Sequence, residues 1–216
     1  MSALGRLGNH LAHEINNPLT GLKSYSQSIL SDPDYDLPTT IRADLSEILK
    51  ATLRSQKIIQ NFIDFSHKKE TVLEKVNFLE VLQNTLTLLK SALRSHRIFI
   101  DVKPVYVLAH SHDLQQVLFN LIKNACQAME SSGTIKIFQE MTENKIIFHI
   151  EDTGPGFNDS IKNLLFQPFM TTKKQGDGTG LGLYLSKKMM NQMQANLIID
   201  EQKKVGAKIS LIFDKI

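Results

Sequence analysis

Four groups of residues have the types and spacing to do chemistry. The first is His13-Glu14-Ile15-Asn16-Asn17-Pro18-Leu19. A neutral imidazole nitrogen is a nucleophile near neutral pH, and an acidic residue stands beside this one. At about 100° per residue, His13 and Asn17 project from nearly the same helix face, opposite an apolar stripe. His13 is therefore expected to be exposed. The second group is Asn120-Leu121-Ile122-Lys123-Asn124-Ala125. Its two carboxamides, four residues apart, share one helix face and offer neutral oxygens suited to a hard cation. The third is Asp152-Thr153-Gly154-Pro155-Gly156-Phe157. Here an acidic acceptor sits at a strand end, able to take a hydrogen bond from an exocyclic amine. The fourth is Gly176-Asp177-Gly178-Thr179-Gly180-Leu181-Gly182-Leu183, opening a helix. Clustered glycines before a helix N-terminus present backbone N–H groups to an anion.

These groups need elements to hold them. Leu4, Leu7, Leu11, Ile15, Leu19, Leu22 and Ile29 recur at helical steps. The stretch 31–38, with two prolines and three aspartates, ends that helix. Thr39 or Thr40 is expected to cap a second one, in which Ile41, Leu45, Ile48, Ile59 and Phe62 follow heptad-like spacing with Thr52 and Ser55 between. Two such helices share too little surface to stand alone, so a dimeric four-helix bundle is expected. Pro18 falls inside the first helix, at a cost of about 3 kcal/mol.

From about residue 71 helices alternate with strands. Helices are expected over 78–93, 113–129 and 181–193. Strands are expected over 98–102, 105–109, 134–138, 145–150, 197–200 and 207–213, the middle pair forming a hairpin around Thr142-Glu143-Asn144. That order suits an α+β two-layer sandwich. Residues 158–177 lack a clear element and read as a lid, with Phe166 and Phe169 as anchors and Lys173 within reach of a phosphate. The organisation expected is thus 1–70 and 71–216.

Composition narrows the class. Twenty-five Lys+Arg against 22 Asp+Glu leave +3, too weak a bias to imply nucleic-acid binding. The first seventy residues are balanced, eight basic against eight acidic, so the whole excess falls in 71–216. Cys126 is the only cysteine, which excludes an internal disulfide and fits a reducing, cytoplasmic setting. No apolar run approaches a membrane span, although a longer parent could be membrane-anchored. The glycine-rich stretch fails as a dinucleotide fingerprint because no βαβ unit surrounds it, and there is no P-loop.

In sequence order the boxes at His13, Asn120/Asn124, Asp152, Phe166/Phe169 and Gly178–Gly182 resemble the catalytic core of sensor histidine kinases of two-component systems. The resemblance joins a helical phospho-acceptor hairpin to an ATP-binding domain of the Bergerat or GHKL type (gyrase, Hsp90, histidine kinase, MutL). It implies ATP and Mg2+ as cofactors, with Asp152 on the adenine amine, Asn124 on the metal and Asn120 in support. Gly154, Gly156, Gly178, Thr179, Gly180, Leu181 and Gly182 would line the nucleotide. Lys123, Phe169, Thr172 and Lys173 would complete the site. It also implies that His13 attacks the γ-phosphorus, that Glu14 fixes the ring tautomer and accepts the proton, and that Asn17 orients a water for dephosphorylating the partner. The partners implied are a second copy of the chain and a response-regulator receiver domain. Hydrolytic members of the superfamily place a glutamate where this chain has Asn120, which favours transfer to histidine. Ala128 stands where some relatives carry an aromatic residue against adenine. An ATP-driven clamp would leave the His13 box unexplained, and a scaffold with a degenerate site would lack one of the boxes. The chain reads as the catalytic end of a longer protein.

Overall fold

The computed structural model describes residues 3–66, 72–157, 164–168, 170–171, 180–200 and 205–216, with side chains in the first helical region described for 14–56 and 59. Two compact units are present, one built on Met1–Glu70 and the other on Thr71–Met170 and Gly180–Ile216.

The first unit is a hairpin of α1 (Ala3–Ser31) and α2 (Thr39–Ser66), and α1 runs through Pro18. Between them the Asp32 carboxylate accepts the Asp34 amide at 3.0 Å, the local turn that aspartate favours. The Arg42 amide donates to the Pro38 carbonyl at 3.0 Å. Pro38 is therefore the N-cap, and neither Thr39 nor Thr40 caps the helix as expected, because both are already inside it. Small polar Thr52 is buried at the helix–helix contact, its hydroxyl satisfied by the Ile48 carbonyl at 2.7 Å. Ile15, Leu22, Ile41 and Ile48 stay 44–49% exposed.

The second unit packs three helices on one face of a mixed sheet. Its elements are β1 (Glu74–Asn77), α3 (Phe78–Leu88), β2 (His96–Asp101), β3 (Tyr106–Ala109), α4 (Ser111–Ala128), β4 (Gly133–Met141), β5 (Lys145–Asp152), α5 (Gly182–Gln192), β6 (Asn196–Ile199) and β7 (Lys208–Asp214). The main sheet has the order β2-β4-β5-β7-β6, parallel between β2 and β4 and antiparallel elsewhere. Alternation decides which face is buried. On β5, Ile146, Phe148 and Ile150 point into the core, beside Ile135 and Ile137 of β4 and Ile209, Leu211 and Phe213 of β7. Leu114, Val117, Leu118, Leu121 and Ile122 of α4 meet them, and α4 also touches α3 and α5. Phe78 stacks on Phe148, with Phe213 edge-on to both.

Several boundaries differ from the expected ones for local reasons. The helix expected over 78–93 ends at Leu88. The Leu89 amide still reaches the Thr85 carbonyl, but that of Lys90 reaches only Thr87, so the helix tightens into turns. The two β-branched runs on either side of Pro104 part company: β2 joins the main sheet, while β3 pairs with β1. Strand β1 was invisible to periodicity because four residues bury only Val76. The hairpin of β4 and β5 forms as expected, with the Thr142 amide on the Lys145 carbonyl at 2.9 Å.

Candidate functional site

The inward alternation of β5 continues one step beyond Ile150, to Asp152. This carboxylate sits at the end of the strand on the helix-facing side and is buried. Its Oδ1 accepts two backbone amides, from Gly154 at 2.8 Å and from Ala207 at 3.1 Å. The Asp152 amide in turn donates to the Ala207 carbonyl at 2.9 Å. Fixing one oxygen with two donors sets the carboxylate plane. It leaves Oδ2 without a hydrogen-bond partner among the described residues. An acceptor held this way is suited to a ligand N–H.

The expected residues at this end are brought together. A Cβ on Gly154 would lie 3.0 Å from Asp152 Oδ1 and 3.4 Å from the Ala128 Cβ. Gly206, which sequence reasoning missed, is equally placed. It has a φ of +77°, and a Cβ there would run into the Asp152 carbonyl oxygen. Only glycine lets the chain before β7 close on Asp152. The available signal was a glycine between two strand patterns, Val205-Gly206-Ala207. Thr153 was also missed: its hydroxyl accepts the Thr134 amide at 3.0 Å, tying the loop after β5 to the start of β4.

Helix α4 carries the other half. Asn120 Nδ2 donates to Ser186 Oγ of α5 at 2.9 Å. A Cβ on Gly182 would lie 2.5 Å from Asn120 Oδ1. Close approach of α5 to α4 thus requires glycine at the first residue of α5, and Asn120 acts as a tie between the helices. Ser186, one turn after Gly182, was missed, though its spacing from that glycine was readable. Asn124 follows one turn along, half-buried, and Lys123 is exposed with its ammonium 5.8 Å from the Phe119 ring. From Asn120 to Ala128 is about 12 Å along the helix. One end therefore touches the start of α5 and the other the Asp152 loop. That separation suits a ligand with a base at one end and phosphates at the other.

The remaining placements are quickly stated. Leu181 is buried as the N-cap of α5, which has no side-chain cap bond and no acidic residue in its first turn. Gly156 and Gly180 both have positive φ. Phe166 packs against the core, under the ammonium of Lys187 at 5.4 Å from its ring. Burial holds the Lys187 pKa below its ordinary value, while the same ammonium bonds Asn196 Oδ1 and the Leu197 carbonyl. Phe169, Thr172, Lys173, Gly178 and Thr179 lie outside the described residues, as does most of the expected lid. In the hairpin, Glu14 and Asn17 are exposed on α1. His13 lies in α1, and its side chain, with its expected exposure, is outside the description.

A buried carboxylate at a strand end, an asparagine-bearing helix and a glycine-rich entry to a second helix define an ATP-binding domain of the gyrase and Hsp90 type. The family model for histidine kinase-, DNA gyrase B- and HSP90-like ATPases matches residues 109–215, and that for the His Kinase A (phospho-acceptor) domain matches residues 3–71. The signal transduction histidine-protein kinase AtoS of Escherichia coli (strain K12) is 32% identical over 98% of this chain and 35% of its own length. Sporulation kinase A of Bacillus subtilis (strain 168) is 28% identical over the whole chain and 35% of its own length. The solved catalytic domain of the histidine kinase ThkA is 27% identical, with a TM-score of 0.59 over 67% of this chain and 97% of that one. Full-length ShkA in complex with AMPPNP has a TM-score of 0.74 at 20% identity, over 99% of this chain and 47% of that one, a likeness of fold. The chain belongs to the sensor histidine kinases and comprises their catalytic core, the histidine kinase domains of two-component systems. It spans about a third of the length of the curated relatives it matches. No helix among the described residues is long and apolar enough to cross a membrane.

Proposed function

We propose that this chain uses ATP to phosphorylate His13 and passes the phosphoryl group to an aspartate on a response-regulator receiver domain. The observation that carries the reading is the Asp152 carboxylate, held by two backbone amides with its second oxygen left for a ligand amine. In the reaction the bond from the γ-phosphorus to the β–γ bridging oxygen breaks. A bond from the γ-phosphorus to a His13 ring nitrogen forms, and ADP leaves. Glu14 hydrogen-bonds the other ring nitrogen, fixing the tautomer, and accepts its proton as the new bond forms, which leaves a neutral phosphorylated ring. Such a transfer asks mainly for positioning and charge neutralisation. Asn124 would hold Mg2+, which when bound neutralises phosphate charge, and Thr172 and Lys173 would stand near the phosphates. Asn120 donates an amide hydrogen to Ser186 and has no group that could serve as the base of hydrolysis. That favours transfer over an ATP-driven clamp.

In this reading residues 1–70 are the dimerising phospho-acceptor hairpin and residues 71–216 the ATP-binding domain, working in the cytoplasm. The apolar stripe left exposed by the hairpin, Ile15, Leu22, Ile41 and Ile48, supports a homodimer in which a second hairpin covers it. The structure of ThkA in complex with the response regulator TrrA supports a receiver domain as partner. Asn17, exposed one turn after His13, fits a role in orienting water for dephosphorylation of that partner.

The test is incubation with γ-labelled ATP and Mg2+. Acid-labile, alkali-stable label on the wild type that is lost in His13→Gln is the expected result. Label persisting in that variant would remove the assignment of His13.

A further inference from the structure

The turn that carries His13 and Asn17 runs into Pro18 and so lacks one bond of the helix ladder. Pro18 has no N–H to give to the carbonyl of Glu14, and its ring crowds that carbonyl. Two residues on, the Thr20 hydroxyl donates to the Asn16 carbonyl at 2.8 Å. That carbonyl is also the acceptor of the helix's own ladder, an arrangement that loosens a helix locally. The same hydroxyl oxygen accepts a hydrogen bond from Gln56 Nε2 of α2 at 3.2 Å. At the opposite end of the hairpin the Arg42 guanidinium donates to the Leu30 carbonyl at 3.2 Å. One polar tie thus fixes the loop end, and the other reaches across to the proline turn.

We infer that Gln56 is a positioning residue for the chemistry at His13: through Thr20 it holds the Asn16 carbonyl, and so the turn bearing His13 and Asn17, in one orientation against α2. The inference rests on the phospho-acceptor reading of that turn. A reacting group displaced by about 1 Å loses much of its rate, and the Thr20–Gln56 bond ties a turn that lacks one backbone donor to α2. Gln56 touches no reacting atom in this scheme. Its loss should lower kcat and leave the KM for ATP unchanged.

The experiment measures initial autophosphorylation rates of the full chain against ATP concentration for the wild type, Gln56→Leu, Gln56→Glu, Thr20→Val, Thr20→Ser and the double variant Gln56→Leu/Thr20→Val. His13→Gln runs alongside. Gln56→Glu keeps size and helix propensity but cannot donate, so it reports on the bond even where the leucine disturbs folding; circular dichroism and the dimer mass confirm each variant. The expected result is a kcat lowered about three- to tenfold in both Gln56 variants and in Thr20→Val, the range that one hydrogen bond of ordinary net strength spans in a rate. The KM should be unchanged, and Thr20→Ser, which keeps the hydroxyl, should stay near wild type. The double variant should fall no further than the worse single one, because both remove the same bond. Wild-type kcat in the Gln56 variants, a raised KM, or a double variant equal to the product of the singles would overturn the inference. Label retained by His13→Gln would instead overturn the phospho-acceptor reading, and this inference with it.

Discussion

The helical unit and the α/β unit distribute their apolar surface in opposite ways. In the α/β unit Phe78, Phe148, Leu114, Leu118, Ile135 and Leu211 are sealed from solvent, and Asp152, the one buried acidic side chain among the described residues, is hydrogen-bonded at the edge of that core. In the hairpin the side chains described as buried are small and polar, Ser26 and Thr52, while large residues such as Leu22, Tyr25 and Ile48 remain exposed. Burying apolar area at about 25 cal/mol per Å2 is what holds a small unit together. The α/β unit therefore has the means to fold by itself and to hold a ligand rigidly. The hairpin leaves large apolar side chains open to solvent, and Glu14 and Asn17 are exposed on α1.

Phe148→Ala should show the first half of that contrast most strongly. It removes the ring stacked between Phe78 and the sheet, and the expected loss is about 3–5 kcal/mol of unfolding free energy for the α/β unit, read from urea titrations. A loss below about 1 kcal/mol would mean the core is not shared as described. The hairpin should answer to a different assay. Leu22→Lys with Ile48→Lys should leave each helix formed but raise the dimer dissociation constant about a thousandfold, taking roughly 1 kcal/mol for each of four side chains left unburied in a dimer. Sedimentation equilibrium at micromolar chain checks this, and an unchanged dimer would place the second copy elsewhere.

Asp152→Ala comes next in size. Removing a charged acceptor that meets a ligand N–H costs about 1.5–3 kcal/mol, and the Gly154 and Ala207 amides lose their partner as well. ATP affinity measured by calorimetry should fall at least about a hundredfold while the dimer persists. Full ATP affinity in this variant would refute the pocket.

What was legible in the sequence follows the same division. The hairpin was readable because a 3.6-residue period runs through α1 and α2, and the break at 31–38 is rich in proline and aspartate. The sheet strands were readable where alternation is long, as in β4 and β5, and unreadable in β1, where one buried residue makes no pattern. Within the site, Asp152, Gly154, Asn120 and Gly182 were found because they stand in local strings. Gly206 and Ser186 were not, because they meet Asp152 and Asn120 from 54 and 66 residues away along the chain. Local order exposes motifs, whereas tertiary contact chooses their supports. The parallel pairing of β2 with β4 is a further example, since no residue in either strand announces its partner.

The smallest predicted effect separates the two faces of the sheet within the α/β unit itself. His149 lies on β5 between two inward residues, on the face opposite the helices, yet it is buried under Phe138 and bonded through Nδ1 to Ser210 Oγ at 2.8 Å. Burial, with the nearby Lys208 adding to it, holds its pKa below the ordinary 6.5, against the opposing pull of Glu140 at 3.4 Å. The unfolded chain then binds a proton at this residue as pH drops through about 6.5, while the folded chain declines it. Stability should therefore be fully present above that pH and fall as pH is lowered toward the depressed native value, by at most about 1.4 kcal/mol per pH unit for one group. His149→Gln keeps a polar contact for Ser210 without a titrating ring. Urea unfolding of the wild type and this variant at pH 7.5 and 5.5 should show the acid loss shrinking in the variant. An identical loss in both would assign it to other groups and leave the outer face of the sheet without a part in the protein's acid sensitivity.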